Sequence, residues 1–215
     1  MKPSEQVYSR FKEALLNNVI RLGDTLTQAQ LADLLDTQIS PLRVAVQKLE
    51  TEGLVRILPR SGVQIVKPDM NLIRNSYHLR KIIEAAGIET YTRHATDSDI
   101  QSLIKLNETV ASLVDKNGTN EDVMRAAADA DKETHDAFIA ILNNELVTEV
   151  YEKNKDKIRL IRLDKPIHLS RLVMQEISAE HLSFLRAVEA RDSERAITKL
   201  EEHLDKSLKR AMGIF

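Results

Sequence analysis

The sequence predicts a mainly α-helical chain in two parts, a winged helix-turn-helix domain over residues 1–67 and an all-α bundle of six or seven helices over residues 68–215. Three observations predict it. Residues Thr27 to Val66 read as a helix, a second helix and a short hairpin. Apolar residues then recur at helical spacing to the end, with few of the β-branched alternations that build a sheet. Between these stretches lies Lys67-Pro68-Asp69, where a strand can end and Asp69 can cap a long helix.

The first part is justified residue by residue. Thr27 stands three residues before Gln30, the spacing of a reciprocal capping box. Leu31, Leu34 and Leu35 repeat on one face, as a short buried helix needs. A turn is expected around Asp36-Thr37-Gln38. Ser40 is expected to cap the next helix, with Pro41 in the first position, where a missing N–H costs nothing. Leu42, Val46 and Leu49 form its inward face, while Arg43 and Gln47 project elsewhere. Gly53 suits a left-handed helix end. Two β-rich runs follow, Leu54–Leu58 and Val63–Val66, separated by Pro59-Arg60-Ser61-Gly62.

In the second part, Asp97 is expected to cap a helix carrying Ile100, Leu103, Leu106, Val110 and Leu113, which Asn117-Gly118 ends. A third helix of the bundle covers about Asn120–Leu142, and a fourth runs from Glu145 to about Asp164. Pro166 forces a restart, and Asp192 separates the last two helices.

Composition bounds the function classes. No apolar run approaches the ~20 residues needed to span a membrane. Glu5, Arg10, Lys12 and Glu13 interrupt any apolar leader at the N-terminus. The absence of cysteine removes disulfides and thiolate metal sites and fits a cytoplasmic address. Residues 1–67 hold nine Lys/Arg against seven Asp/Glu, so +2, whereas the remainder holds 22 against 26, so −4. The excess base sits in the winged part, although +2 is modest for a nucleic-acid binder.

A winged helix-turn-helix points to double-stranded DNA. The helix from Ser40 to Glu50 would lie in a major groove, with Gln38, Ser40, Arg43 and Gln47 on its DNA side. Arg60, Ser61 and Gly62 would approach the flanking backbone or minor groove. The alternative is a three-helix core whose hairpin serves protein contacts.

The bundle contains an anomaly. Met124, Phe138 and Leu142 mark the inward face of one helix, and Asp131 and His135 fall on that face at i, i+4 spacing. Ile177, Phe184, Leu185 and Val188 place His181 inward on the next-to-last helix. His203 stands at the edge of the last apolar stripe, among Ile197, Leu200, Leu204 and Leu208. His181 lies 11 residues before Asp192 and His203 lies 11 after it. In an antiparallel hairpin, equal offsets bring two residues to one height. Burying a carboxylate and three imidazoles without partners would cost on the order of several kcal/mol. A divalent cation would offset that cost, and neutral imidazole with carboxylate suits Zn, Ni, Mn or Fe. The alternative is an Asp131–His135 surface pair with two core histidines satisfied by hydrogen bonds; the shared geometry favours metal.

At these residues a resemblance appears. Leu31-Ala32-Asp33-Leu34-Leu35, Ser40-Pro41-Leu42-Arg43, Leu49-Glu50-Thr51-Glu52-Gly53-Leu54-Val55 and Arg60-Ser61-Gly62 resemble the DNA reader of GntR-type bacterial transcription regulators. Ile39 stands where that family usually carries an Arg, and Ala29 and Gln30 replace a family Arg or Glu, which leaves Arg43 and Arg60 to carry much of the DNA contact. Asp131-x-x-x-His135, His181 and His203 resemble the metal set of the FCD-type helical effector domain in the FadR-like branch. Leu79-Arg80, Ile83-Glu84 and Glu180-His181 resemble its other signatures. Thr134 stands where the family often has Phe, a change expected to affect packing more than ligation. The resemblance implies that Arg80 helps bind a small organic acid beside the metal. An internal ion pair with Glu84 is the other reading of that arginine.

Three functions follow from these residues. The first is a ligand-responsive regulator, a homodimer on a near-palindromic operator, whose effector coordinates the metal and Arg80 and shifts the helices around Lys67–Asp69. The second is a metal-dependent enzyme acting on a small carboxylate, but no HExxH or nucleophile motif supplies its chemistry. The third is a helical interaction module. The first is expected, with no catalytic residues.

Overall fold

The structure is a computed structural model that describes residues 2–164 and 170–214. The expected restart at Pro166 lies outside the described residues. Among them the chain forms two compact units. One takes in the residues up to Ile73 together with those from Lys155 to Asp164; the other takes in Arg74–Asn154 and the residues from 170 onward.

The first unit holds α1 (Pro3–Leu16), β1 (Thr25–Leu26), α2 (Gln28–Leu34), α3 (Ile39–Thr51), β2 (Val55–Leu58) and β3 (Gly62–Ile65). The three strands form an antiparallel sheet in the order β1-β3-β2. Phe11, Leu31, Leu42, Leu49, Val63 and Ile65 build its core, which Leu160 joins from the later segment. The Thr27–Gln30 box forms reciprocally, at 3.2 Å and 2.9 Å. Gly53 takes φ +76°, the left-handed region that ends the helix. At the wing tip Gly62 takes φ +118°, and a Cβ there would stand 2.2 Å from the Leu26 carbonyl oxygen.

Three local expectations are corrected here. Gln38, not Ser40, stands at the N-cap position of α3, without a side-chain bond to the helix, and Pro41 is the third helical residue. None of the first few N–H groups of a helix has an internal partner, so proline fits anywhere in that turn. Leu34 is exposed, and Ala32 takes its place beside Leu31 and Leu35 in the core. The two-residue strand β1 is too short for alternation to announce it.

The second unit holds most of α4 (Met70–His94), then α5 (Asp97–Asn117), α6 (Glu121–Ala140), the first half of α7 (Glu145–Asp164), α8 (Arg171–Glu189) and α9 (Ser193–Met212). Thr96 rather than Asp97 caps α5, because Thr96 and Asp99 bond reciprocally. Asp192 caps α9 through Arg195 N at 3.0 Å, which sets the α8–α9 hairpin. Helix α8 packs between α5 and α9, and α6 packs on α5. Ile88, Phe138, Phe184, Val188, Leu200 and Leu204 fill the centre. Gly87 lets α4 approach α6 so closely that a Cβ would stand 2.4 Å from the Phe138 carbonyl oxygen. No helix among the described residues is long and apolar enough to cross a membrane.

Candidate metal and effector site

The predicted ligand set converges in the second unit. Asp131 and His135 sit one turn apart on α6, His181 on α8 and His203 on α9. One donor atom from each lies within 4.8 Å of all the others. The ring centroids of His181 and His203 stand 4.7 Å apart, and His135 lies 5.3 Å and 5.4 Å from them. Asp131 Oδ1 is 3.6 Å from His135 Nε2 and 3.5 Å from His181 Nε2. All three imidazoles are buried, with Phe184 against each ring and Phe138 beside His135.

Each histidine is held from behind. His135 Nδ1 lies 2.7 Å from Glu84 Oε2, His181 Nδ1 3.0 Å from Asn107 Oδ1, and His203 Nδ1 2.8 Å from Glu180 Oε2. These contacts turn the Nε2 atoms toward one another. His135 Nε2 and His181 Nε2 are buried without a hydrogen-bond partner. Two orphaned lone pairs beside a carboxylate are costly in an apolar interior. The donor set therefore fits a divalent cation, three neutral imidazoles and one carboxylate being a usual set for such ions.

Electrostatics agree with a neutral imidazole at His181 and at His203. Burial pushes His181 down and lowers His203 to about 3. Burial works to raise Glu84, but Arg80 and His135 outweigh it and hold its carboxyl at about 2. Burial likewise opposes the charge on Glu180, which His203 and Arg210 bring down to about 2.

Arg80 is buried on α4, and its Nε donates to Glu84 Oε1 at 2.5 Å. The ion pair is thus present in the structure. Tyr151 of α7 donates to the same oxygen at 2.7 Å, so Glu84 joins Arg80, Tyr151 and His135 at one buried carboxylate. Burial opposes the Arg80 charge, but Glu84 more than compensates and holds its pKa above the ordinary value. On the outer side, a cleft of about 300 Å³ between α8 and α9 reaches Glu180 and His203.

Glu84, Asn107, Thr134, Tyr151 and Glu180 were not singled out as site residues from sequence. Asn107 offered a signal, since it interrupts the stripe of Leu103 and Val110. In the first unit, Gln38, Ser40, Arg43 and Gln47 are exposed at the start and along one side of α3, and Arg60 and Ser61 are exposed in the β2–β3 loop. Arg43 Nε donates to Gln28 Oε1 at 3.0 Å. Gly62 begins β3, paired with Leu58.

Comparison with known proteins decides the family. The model of the FCD domain matches residues 75–206, and that of the bacterial regulatory proteins of the gntR family matches residues 3–65. The chain belongs to the GntR regulators that carry an FCD domain. This GntR–FCD protein is 22% identical over 204 residues to the HTH-type transcriptional repressor RspR of Escherichia coli, covering 94% of this chain and 85% of that one. It is 24% identical over 160 residues to the uncharacterized HTH-type regulator YdhC of Bacillus subtilis, covering 74% of this chain and 69% of that one. In fold it is similar to E. coli McbR/YncC, with TM-score 0.77, 17% identity and coverage of 99% and 98%. It is also similar to the metal-free FCD domain of TM0439, with TM-score 0.55, 23% identity and coverage of 68% and 96%. Matched families and relatives alike are transcriptional regulators, so the chain is a DNA-binding regulator and not an enzyme.

Proposed function

We propose that this GntR–FCD regulator senses a small organic acid at a metal ion held by Asp131, His135, His181 and His203. The observation that carries the reading is the pair of buried, unpartnered Nε2 atoms on His135 and His181, each with its Nδ1 already engaged. Zn, Ni, Mn or Fe all suit this donor set. When bound, such an ion supplies a Lewis-acidic position for an effector oxygen.

The chain's own residues do the rest. Glu84 keeps the Arg80 guanidinium buried beside the histidines. A guanidinium carries five N–H donors, so one bonded to Glu84 through Nε retains the chemistry to receive a second carboxylate. An incoming acid shares Arg80 with Glu84 and draws on the same charge, and Glu84 in turn holds Tyr151 and His135. Effector binding therefore rearranges the contacts of α4, α6 and α7 together.

In the cytoplasm, residues 1–67 serve as the DNA reader and residues 68–215 as the metal-, effector- and dimer-forming part. A homodimer matches a near-palindromic operator, because two-fold proteins read two-fold DNA. Helix α3 enters the major groove with Gln38, Ser40, Arg43 and Gln47, and Arg60, Ser61 and Gly62 approach the flanking backbone. The acid shifts DNA affinity by its differential affinity for the two states.

The test is a gel shift on duplexes from the protein's own upstream region, with Zn²⁺ and a panel of carboxylic acids. A responsive acid is expected to change the shift in the wild type and not in His135→Ala. If His135→Ala loses the metal but keeps the full acid response, the sensing reading fails.

A further inference from the structure

The metal-site reading leaves one buried polar chain unexplained. Asn107 of α5 and Thr134 of α6 are 3% and 0% exposed, yet neither belongs to the donor set. Asn107 Nδ2 donates to Leu103 O at 2.9 Å and to Thr134 Oγ1 at 2.9 Å. Both amide hydrogens are thereby committed, and the Leu103 carbonyl can only accept. This fixes which end of the amide faces His181: Oδ1, which can only accept, 3.0 Å from His181 Nδ1. His181 must then carry its hydrogen on Nδ1, leaving the Nε2 lone pair toward Asp131 and the other histidines.

For His135 and His203 a carboxylate does the same work, because Glu84 and Glu180 are acceptors alone. An amide is different, since it has a donor end as well as an acceptor end. Turned over, Asn107 would present N–H to His181, draw the hydrogen to Nε2 and close that lone pair. What prevents the turn is the Leu103 carbonyl, which can only accept; the Thr134 hydroxyl, which can accept or donate, holds the amide in place beside it.

We propose that Asn107 and Thr134 are positioning residues for the metal, Asn107 by fixing the His181 tautomer and Thr134 by holding the Asn107 amide in place. This rests on the metal-site reading and extends it to two residues that touch no ligand. A histidine's outer hydrogen-bond partner typically changes metal affinity about 10- to 100-fold.

The full-length protein is titrated with Zn²⁺ against a chromogenic chelator, and Co²⁺ is used to record the visible spectrum of the site. Asn107→Leu, close in size but without an acceptor, is expected to lose about 10- to 100-fold in Zn²⁺ affinity and to alter the Co²⁺ spectrum. Thr134→Val, isosteric but without the hydroxyl, is expected to lose less in the same direction, since the Leu103 bond survives. Thr134→Ser restores wild-type affinity and spectrum. Thermal melts of the metal-free proteins identify any variant that does not fold; should Asn107→Leu be one, Thr134→Val against Thr134→Ser decides. Wild-type affinity and spectrum in the folded valine and leucine variants overturn the proposal while leaving the metal reading intact. A wild type that takes up neither Zn²⁺ nor Co²⁺ overturns both.

Discussion

At the scale of single residues, Glu84 concentrates the most chemistry in the least space. It is fully buried and accepts from Arg80 and Tyr151 on one oxygen while holding His135 on the other. Removing one member of a buried ion pair strands the other charge, at about 3–5 kcal/mol. Removing a neutral hydroxyl from the same carboxylate forfeits one hydrogen bond, about 1 kcal/mol. Glu84→Ala should therefore destabilise the metal-free protein about 3–5 kcal/mol, and Tyr151→Phe only about 1 kcal/mol, by urea unfolding. Equal effects would mean that Arg80 finds another anion once Glu84 is gone. That the four candidate ligands come together was legible because their pattern is local: i, i+4 on α6, and equal offsets about Asp192 in the α8–α9 hairpin. Their outer partners were not, because His135 meets Glu84 across 51 positions and His181 meets Asn107 across 74. Nor did sequence reveal that Thr134, expected to affect packing more than ligation, is buried and also accepts the Asn107 amide.

At the scale of elements, helix interiors were readable and helix beginnings less so. Several residues in one turn can cap. Thr96 and Asp97 compete on paper, and only the reciprocal bond to Asp99 separates them. Ser40-Pro41 narrows the start of α3 to one turn without fixing it. The contact between α4 and α6 is a different matter, set by Gly87. Replacing an interior helical glycine with alanine gains up to about 1 kcal/mol in helix propensity. Here the added methyl would meet the Phe138 carbonyl at 2.4 Å, backbone that cannot step aside as a flexible side chain would. Overpacking of that kind costs about 1–3 kcal/mol, so the clash outweighs the propensity. Gly87→Ala is thus expected to lower the melting temperature. Because α4 carries Glu84 and α6 carries His135, it should also weaken Zn²⁺ binding. A higher melting temperature would show that the two helices tolerate the separation.

At the scale of the whole molecule, the question is how a chain of net charge −2 holds DNA. Its 1–67 segment carries only +2, and non-specific affinity for DNA grows with the number of phosphates neutralised. A modest charge gives little non-specific attraction, and preference for one operator comes from side chains at base edges or from DNA shape. On the proposed reading, the base-edge role falls to Arg43, exposed on α3 and bonded to Gln28, and the backbone contact to Arg60, exposed at the wing. The two substitutions should therefore separate. Arg43→Ala is expected to cost about 1–3 kcal/mol on the best operator and less on mutated ones, flattening discrimination. Arg60→Ala should weaken binding to every duplex alike and reduce the salt slope by about one. Fluorescence anisotropy across a salt series, on one operator and its single-base variants, measures both quantities at once. If Arg43→Ala changed the salt slope while discrimination stayed intact, α3 would be gripping phosphate and the base reader would have to be sought among Gln38, Ser40 and Gln47.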